Sequence, residues 1–272
     1  MELVLSLFPG IDLLGRGFEA EGFCIVRGPD LLWGGDIRAF HPPKAKFGGV
    51  IGGSPCQEFS GARRKTKNPP TGYGLEMLRE FCRVVAAARP VWFLLENVPG
   101  VPAVAVDGYS LQRFTLRASE CGGRQLRLRV FQFGCRDATA LVCDRQLTAR
   151  ETAREPAALA TEGKKSKTRR GFPDFCALQG LPRDFDLPGY RLREKYVAVG
   201  NGVPVYMARV LARAVRERMP AAALRLCPCM CGRLLSGAQK SAGPACRKRL
   251  QAIRNGRAIQ GGHTWHQVTA AA

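Results

Sequence analysis

Residues 3–26 read LVLSLFPGIDLLGRGFEAEGFCIV, and this stretch indicates the fold class of the chain. Residues 3–8 are mostly apolar and end at Pro-Gly, as a buried parallel strand does. Residues 13–21 have the pattern of a short amphipathic helix that ends at Gly22, and residues 23–26 form a second apolar run. Strand, helix and strand in this order predict an α/β protein with a mostly parallel sheet.

The same alternation continues downstream, with an apolar run at residues 48–53, helical spacing over 76–89 and a strand at 91–96. Parallel sheets place their sites beyond the carboxyl ends of the strands. We therefore expect four polar turns to line one crevice, and these turns are residues 8–10, Asp30, residues 55–56 and residues 96–98.

The composition indicates a nucleic-acid partner. The 272 residues include 42 Lys and Arg against 22 Asp and Glu, a net charge of +20 with a pI of about 10.1. Such a charge favours a polyanion, although a ribosomal or merely adhesive protein would share it. No apolar run reaches the ~18 residues of a membrane span, and the N-terminus has the character of a first strand, not of a signal peptide. Eleven cysteines, an odd number with four near the C-terminus, suit a reducing cytoplasm and a metal site better than disulfides.

Cys56 lies in the stretch GSPCQEFS at residues 53–60, between an apolar strand and the basic sequence GARRKTK. A lone cysteine is often a small buried hydrophobe. Its position after a proline, at the start of a glycine-rich and lysine-rich loop, also suits a nucleophile that meets an anionic partner.

Five segments resemble, in order, the motifs of DNA (cytosine-5) methyltransferases: LFPGIDLLGRGFEAEGF, GGSPCQEFS, FLLENVPG, RQLRLRVFQFG and VGNGVPVYMARVLARAV. The resemblance covers roughly residues 3–218. It implies a Rossmann-like fold, S-adenosylmethionine as methyl donor, and double-stranded DNA from which the target cytosine is flipped out.

The resemblance also implies roles around the target base. Cys56 would add to carbon 6 of cytosine, and its thiolate fraction should rise beside cations such as Arg127 and Arg129. Glu96, directly after an apolar strand, would bind the base at N3 and the amino group, a role that favours a raised pKa. Arg127 and Arg129 alternate with apolar residues, so on a strand they would share one face and hold the base carbonyl and a phosphate. The alternatives are a surface acid for Glu96 and an exposed edge strand for the arginines.

For the methyl donor, the resemblance implies backbone contact at the first motif, an acid on the ribose, an acid on the adenine and a closing turn from the C-terminal part. Asp12 stands where the family usually has a second glycine, and Asp is among the residues that tolerate a left-handed backbone. The predicted donor-binding residues are Phe8, Gly10, Asp30, Asp36, Pro55, Asn201 and Gly202.

Residues 57–74 resemble the catalytic loop that closes on the flipped base; without Cys56 at its start they would be interpreted as a solvated basic loop. The predicted DNA contacts of this loop are Gln57, Ser60, Arg63, Arg64, Lys65 and Lys67.

The C-terminal segment resembles a small zinc-binding knuckle followed by a basic helix. Four cysteines lie within twenty residues, and four thiolates would suit a tetrahedral structural Zn²⁺. The spacing departs from the usual two pairs, and a redox-labile tail is the alternative. The predicted ligands are Cys227, Cys229, Cys231 and Cys246.

These observations predict a cytoplasmic, monomeric DNA cytosine-5 methyltransferase of bacterial or phage type. The rivals are a transfer-RNA cytosine-5 methyltransferase and an inactive DNA-binding regulator with the same fold. The short recognition region predicts a degenerate target of about two or three base pairs. The expected organisation is a catalytic core (1–134), a basic recognition insertion or linker (135–171), the rest of the core (172–220), a zinc-binding basic module (221–260) and a flexible tail (261–272).

Overall fold

The computed structural model describes residues 1–60, 71–145, 155–164, 169–228, 233–254 and 268–269. The strands are β1 (Leu3–Leu7), β2 (Cys24–Arg27), β3 (Gly49–Gly53), β4 (Trp92–Asn97), β5 (Val104–Ala105), β6 (Ser110–Arg117), β7 (Leu128–Cys135), β8 (Thr139–Ala140), β9 (Met219–Pro220) and β10 (Val268–Thr269). The helices are α1 (Leu13–Glu19), α2 (Tyr73–Ala88), α3 (Phe172–Leu178), α4 (Leu192–Asn201), α5 (Val205–Arg216) and α6 (Pro244–Arg254).

Six of these strands form one sheet in the order β2-β1-β3-β4-β7-β6. The first four strands are parallel, whereas β7 runs antiparallel to both β4 and β6. The carboxyl ends of β1 to β4 therefore share an edge with the start of β7, since Asn97 of β4 pairs with Val130 of β7. The α/β fold with a mostly parallel sheet is confirmed.

Helices cover both faces of the sheet, because successive strand residues point to opposite sides. On one face Val4 and Leu94 pack with residues of α1 and α5, such as Phe18 and Leu211. On the other face the neighbouring strand residues pack with α2, through side chains such as Leu78 and Phe81. The core is thus two apolar layers, one on each side of the sheet.

Helices α1 and α5 approach each other closely at Gly17. A Cβ atom built on Gly17 would lie 2.3 Å from the Cβ of Ala208, so no larger residue fits there without moving a helix. This contact fixes α1, and with it the turn between β1 and α1 that faces the shared edge.

A third apolar cluster joins the later part of the chain to that same turn. Leu13 of α1 is buried with Phe175 of α3, Tyr196 and Val199 of α4, and Ala158. The cluster holds α4 against the edge where β1 to β4 end.

The segment boundaries predicted from the sequence agree closely with the first four core strands and with α1, α2 and α5. The tail predicted as flexible contributes β10, which pairs in parallel with β5 at Val268 and Thr269; residues 261–267 and 270–272 lie outside the described residues. Within the described residues, no helix combines the length and apolar character needed to cross a membrane.

Candidate active site

The four polar turns expected at one edge of the sheet line a single cavity of about 960 Å³. The strand order places residues 8–10 and Asp30, after β1 and β2, toward one end of this lining, and Cys56, Glu96 and Arg129, after β3 and on β4 and β7, toward the other. Residues of α4 and of the turn before it also line the cavity, and these are Tyr190, Arg191, Arg193, Glu194, Val197, Ala198 and Asn201.

Cys56 lies in a turn three residues after β3. Its carbonyl oxygen accepts hydrogen bonds from the amides of Phe59 (3.0 Å) and Ser60 (3.1 Å), which close a short turn after it. Asn97, the last residue of β4, is 1% exposed and donates its side-chain amide to the carbonyl and hydroxyl oxygens of Ser54, both at 3.0 Å. The turn that carries Cys56 is therefore tied to the end of β4.

The Cys56 thiol does not have the lowered pKa that the sequence predicts. Burial raises its pKa above the ordinary value, and the neighbouring Glu96 raises it further, whereas Arg129 and Arg127 act in the opposite direction without outweighing burial. The two arginines make ionisation of the thiol easier than it would be with burial alone, but the resting side chain is a thiol.

Glu96 stands at the end of β4 with 7% exposure, and Arg129 holds it in place. The Nε atom of Arg129 lies 2.8 Å from Glu96 Oε1. Burial raises the pKa of Glu96, while Arg129 and Arg127 lower it in part. The predicted raised pKa agrees with this environment, and a carboxyl with a raised pKa is better suited to donate a proton than an ordinary surface carboxyl is.

Arg127 is buried more deeply than Arg129, and both arginines act on the charge of Cys56 and Glu96. Strand β7 begins at Leu128, and Arg127 turns into the interior with 1% exposure. Its guanidinium donates to the carbonyl oxygens of Ala158 (2.8 Å), Gly200 (3.0 Å) and Gly202 (3.1 Å). Arg127 therefore connects three chain segments and is not among the residues that line the cavity, whereas Arg129 is.

At the other end of the cavity, the turn after β1 is held by Asp30 and Trp33. Asp30 Oδ2 accepts from the amide of Gly10 (2.8 Å), and Oδ1 accepts from the amide of Leu32 (2.8 Å). The indole of Trp33 donates to the Gly10 carbonyl at 2.8 Å. Gly10 has φ +55° with open space where a Cβ would lie, so a ligand can approach its backbone.

Asp12 keeps the turn that a glycine would make. Its φ of 56° and ψ of 48° are left-handed, and it caps α1 through a 3.0 Å hydrogen bond from the Gly15 amide. The buried carboxylate also accepts from the Ser6 hydroxyl (2.9 Å) and pairs with Arg27 Nε at 3.0 Å. Burial raises the pKa of Asp12, and these partners lower it in part.

Asp36 lines the cavity, but its carboxylate is already paired with Arg38, at 2.6 Å between Oδ2 and NH2. This hydrogen-bonded pair lowers the pKa of Asp36. Pro55, Asn201 and Gly202 also belong to the lining, as predicted.

The sequence did not single out the apolar part of the lining. Leu31 and Leu32 line the cavity near Asp30, and Leu31, Leu32 and Trp33 are 61%, 43% and 59% exposed. Three large apolar residues beside a predicted nucleotide-binding acid were the available signal. The contribution of α4 to the lining had no comparable signal in the sequence. Helix α4 reaches the cavity because it packs in the third apolar cluster, and that packing exists only in the folded protein.

A family model described as C-5 cytosine-specific DNA methylase matches residues 33–168, half of the 272-residue chain. The chain belongs to the C-5 cytosine-specific DNA methylase family. The matched span includes Cys56, Glu96 and Arg129 of the cavity.

Two curated Type II methyltransferases show how much of a methylase is present. M.HgiDI of Herpetosiphon aurantiacus is 37% identical over 168 residues, which are 48% of this chain and 52% of the relative. M.FnuDI of Fusobacterium nucleatum is 31% identical over 163 residues, 49% of this chain and 46% of the relative. The chain thus spans about half the length of the curated relatives that it matches.

Solved structures show the same fold. The Entamoeba histolytica methyltransferase EhMeth superposes with a TM-score of 0.59 at 11% identity, over 80% of this chain and 98% of that chain. The S. pombe Dnmt2 methyltransferase gives a TM-score of 0.55 at 13% identity, over 80% and 99% of the two chains. At such low identity the likeness concerns the methyltransferase fold alone.

The predicted catalytic loop is described only at its ends. Gln57 lines the cavity, and Ser60 lies in the turn after Cys56. Glu58 accepts from the amides of Thr71 (2.8 Å) and Gly74 (2.9 Å), so the two ends of the loop meet. The four predicted cationic contacts, Arg63, Arg64, Lys65 and Lys67, lie outside the described residues.

The cysteine-rich C-terminal segment is described in part. Cys227 and Cys246 are 3% and 4% exposed and belong to one small cluster, in which the amide of Ala242 donates to Cys227 Sγ at 3.3 Å. Cys229 and Cys231 lie outside the described residues, and among those that are described no group of three metal-ligating side chains occurs.

Proposed function

We propose that the protein transfers a methyl group from S-adenosylmethionine to carbon 5 of a flipped cytosine in double-stranded DNA. The observation that supports this most directly is the shared cavity, with Cys56, Glu96 and Arg129 at one end and the turn of Gly10 and Asp30 at the other. A covalent reaction on a base and the binding of a methyl donor require such neighbouring sites.

On the base side, three residues of this chain have distinct tasks. Once the Cys56 thiol has lost its proton to solvent, the thiolate bonds to carbon 6 and the Glu96 carboxyl passes its proton to N3, which turns the ring into an enamine. With the donor bound, carbon 5 would bond to the methyl carbon while the methyl–sulfur bond breaks and the donor leaves as a neutral thioether. In the last step a solvent base removes the proton from carbon 5, the released electron pair forms the 5,6 double bond and expels the Cys56 thiolate, and N3 returns its proton to Glu96. Arg129 orients Glu96 and is free to turn one guanidinium nitrogen toward the base carbonyl.

On the donor side, the cavity has the features that a nucleoside with a methionine arm requires. The space beside Gly10 is open, and the Asp30 carboxylate retains acceptor capacity beyond its two amide partners. Leu31 and Leu32 offer apolar surface for the adenine, while Phe8, Asp36, Pro55, Asn201 and Gly202 complete the enclosure. When bound, S-adenosylmethionine supplies the electrophilic methyl group.

Duplex DNA is the substrate that the charge and the family favour. A transfer-RNA cytosine would suit the same three residues, and an inactive DNA-binding regulator would have no use for them. The test is incubation with methyl donor and either mixed-sequence duplex DNA or transfer RNA, followed by base-resolution mapping of 5-methylcytosine. Methylation of DNA supports the proposal, whereas methylation of RNA alone supports the first rival.

The same map measures the recognition site. Residues 135–171 are the part of the chain available for reading bases, and each base that is read needs a positioned side chain. We expect a degenerate target of about two or three base pairs. A strict site of about six base pairs would show that another surface reads the DNA.

The C-terminal module is proposed to bind one structural Zn²⁺ through Cys227, Cys229, Cys231 and Cys246. The support is that Cys227 and Cys246 are the buried members of one small cluster, against which the partly buried residues Leu235, Ala242 and Leu250 pack. Metal analysis of protein prepared without chelator should give about one zinc per chain, and Cys246→Ser should lower this content. Wild-type protein without zinc would end the idea.

We also expect the protein to act as a monomer in the cytoplasm. The cysteine usage supports a reducing compartment, and one chain supplies both ends of the cavity. Sedimentation at micromolar concentration tests the first expectation.

A further inference from the structure

Glu120 lies at the same edge of the sheet as the active site, although the two are at different strands. It belongs to a short 3₁₀ turn, Ala118–Cys121, that follows β6. Arg117, the last residue of β6, pairs with Leu128 at the start of β7, and β7 begins at the edge where β4 ends. Because β6 is the outermost strand, Glu120 marks the far corner of the active-site edge.

Three segments of the chain converge on the Glu120 carboxylate. It accepts from the amide of Arg117 (2.8 Å), and it pairs with Arg145 (3.1 Å) and with Arg233 (2.8 Å). Burial alone would raise the pKa of Glu120, but these partners together lower it, so the carboxylate is charged at neutral pH. A half-buried pair of this kind holds its partners more firmly than an exposed ion pair does.

Arg233 belongs to the cysteine-rich module, so its pairing with Glu120 connects that module to the core. The Cys227 amide donates to the Arg233 carbonyl at 2.8 Å, and the Leu235 amide donates to the Arg225 carbonyl at 2.7 Å. These bonds form a small hairpin that places Arg233 next to the buried Cys227. The module is therefore held at the active-site edge by a residue of its own hairpin.

The module has the charge of a nucleic-acid-binding surface. Residues 221–272 contain eight Lys and Arg and no acidic residue. On α6, Cys246 faces inward, whereas Arg247 and Lys248 are exposed and make no ion pair with any residue that the structure describes.

We propose that this module is a second duplex-binding surface, held beside the active site by Glu120 and Arg233, which contacts phosphates on one flank of the target cytosine. The proposal rests on the proposed function in duplex DNA. Its partner class is the DNA backbone, because exposed Lys and Arg without positioned base-reading groups supply affinity and not sequence choice.

The test compares two pairs of exposed cations in the full chain. Arg247→Gln with Lys248→Gln removes two charges of α6, and Lys44→Gln with Lys46→Gln removes two exposed charges before β3, at the opposite edge of the sheet. Binding to a mixed-sequence duplex of about 30 base pairs is measured across a salt series. The α6 pair should weaken binding and lower the slope of log Kd against log salt by about 2, while the control pair leaves the slope unchanged.

The contact between Glu120 and Arg233 is tested with Glu120→Gln, Arg233→Ala and the double variant. Each single change should lower DNA affinity, and the double variant should lower it no further than the worse single change, because both break one contact. Binding of the methyl donor should stay within about twofold, which separates loss of docking from loss of the fold.

Equal slopes for the α6 pair and the control pair would overturn the proposal, and so would additive losses in the double variant. Wild-type protein that fails to bind duplex DNA would instead contradict the proposed function, since that result precedes any comparison of variants.

Discussion

At one end of the cavity Glu96 is buried beside Arg129, and at the other end Asp12 is buried beside Arg27. Burial raises the pKa of both carboxyls, and in both the neighbouring arginine lowers the pKa in part. They differ in their remaining partners. Asp12 accepts hydrogen bonds from the Ser6 hydroxyl and the Gly15 amide, whereas the Glu96 side chain has Arg129 as its one partner among the residues that the structure describes.

The difference shows how the same two residue types serve different purposes. A carboxyl that caps a helix and accepts hydrogen bonds from its own turn stabilises that turn, and a carboxyl with one arginine partner retains acceptor capacity with which to act on a substrate. Substitutions at the two ends should therefore separate effects on chemistry from effects on donor binding.

The largest effect is expected at Cys56. Cys56→Ser should lower the methylation rate by about four orders of magnitude or more, because a serine hydroxyl is scarcely ionised at neutral pH. Binding of the methyl donor should persist, because the Cys56 thiol does not belong to the end of the cavity where Gly10 and Asp30 lie. Cys24→Ser, on β2 and away from the cavity, is the control and should retain the wild-type rate. The readout is transfer of labelled methyl groups to DNA.

Glu96→Gln should follow, with a loss of about 10³-fold in kcat, because the amide cannot transfer a proton to N3. Glu162→Gln is a matched control: Glu162 is also buried beside an arginine, Arg170, but lies outside the cavity. Equal losses in the two variants would mean that Glu96 acts only through the fold.

Arg129 and Arg127 should differ in kind. Arg129→Gln should lower the rate by about 10²-fold and move the rising limb of the pH–rate profile to higher pH. The sign follows because Arg129 lowers the Cys56 pKa in the wild type, and its removal leaves burial and Glu96 to raise that pKa further. Steady-state rates between pH 6 and 10 test this, and a shift to lower pH would contradict it.

Arg127→Met should instead change the stability of the protein. It should lower the free energy of unfolding by about 3 kcal/mol, since three buried carbonyl groups lose their donor. Denaturant unfolding of both variants, beside their methylation rates, shows whether Arg127 acts on stability and Arg129 on the reaction.

The smallest effect is expected at Asp12. Asp12→Asn retains an oxygen for the Gly15 amide and tolerates the left-handed backbone, but it loses the charge that pairs with Arg27. The donor KM should rise by about threefold to tenfold with little change in kcat. Glu19→Gln, which removes the other and more exposed partner of Arg27, should change the KM by less than about twofold. A fall in kcat at constant KM would place Asp12 in the chemistry instead.

The sequence predicts those features that are set by residues close together in the chain, and it does not predict contacts between distant residues. Strands β1 to β4 and the four polar turns follow from apolar runs and from the rule that parallel strands end at one edge. The burial of Arg127 could not be predicted, because its acceptors at Ala158 and Gly200 are 31 and 73 residues away in the chain. The pairing of Glu120 with Arg233 spans 113 residues and was missed for the same reason.

The pKa of Cys56 was predicted in the wrong direction for a related reason. The sequence shows nearby cations but not the depth of the turn, and burial opposes ionisation more strongly than two arginines favour it. A thiol that is neutral at rest agrees with a nucleophile that ionises only when the base and Glu96 are in place.

The central claim is that Cys56 bonds to carbon 6 of a cytosine, and one measurement tests it directly. Duplex DNA that contains 5-fluorocytosine is incubated with the protein and S-adenosylmethionine, and the products are denatured and mapped by mass spectrometry. Fluorine cannot leave as a cation in the step that normally removes the proton from carbon 5, so the sulfur–carbon bond should persist. The account predicts a denaturation-resistant complex attached at Cys56. A complex attached at another residue, or methylation of ordinary DNA with no trapped complex, would contradict it.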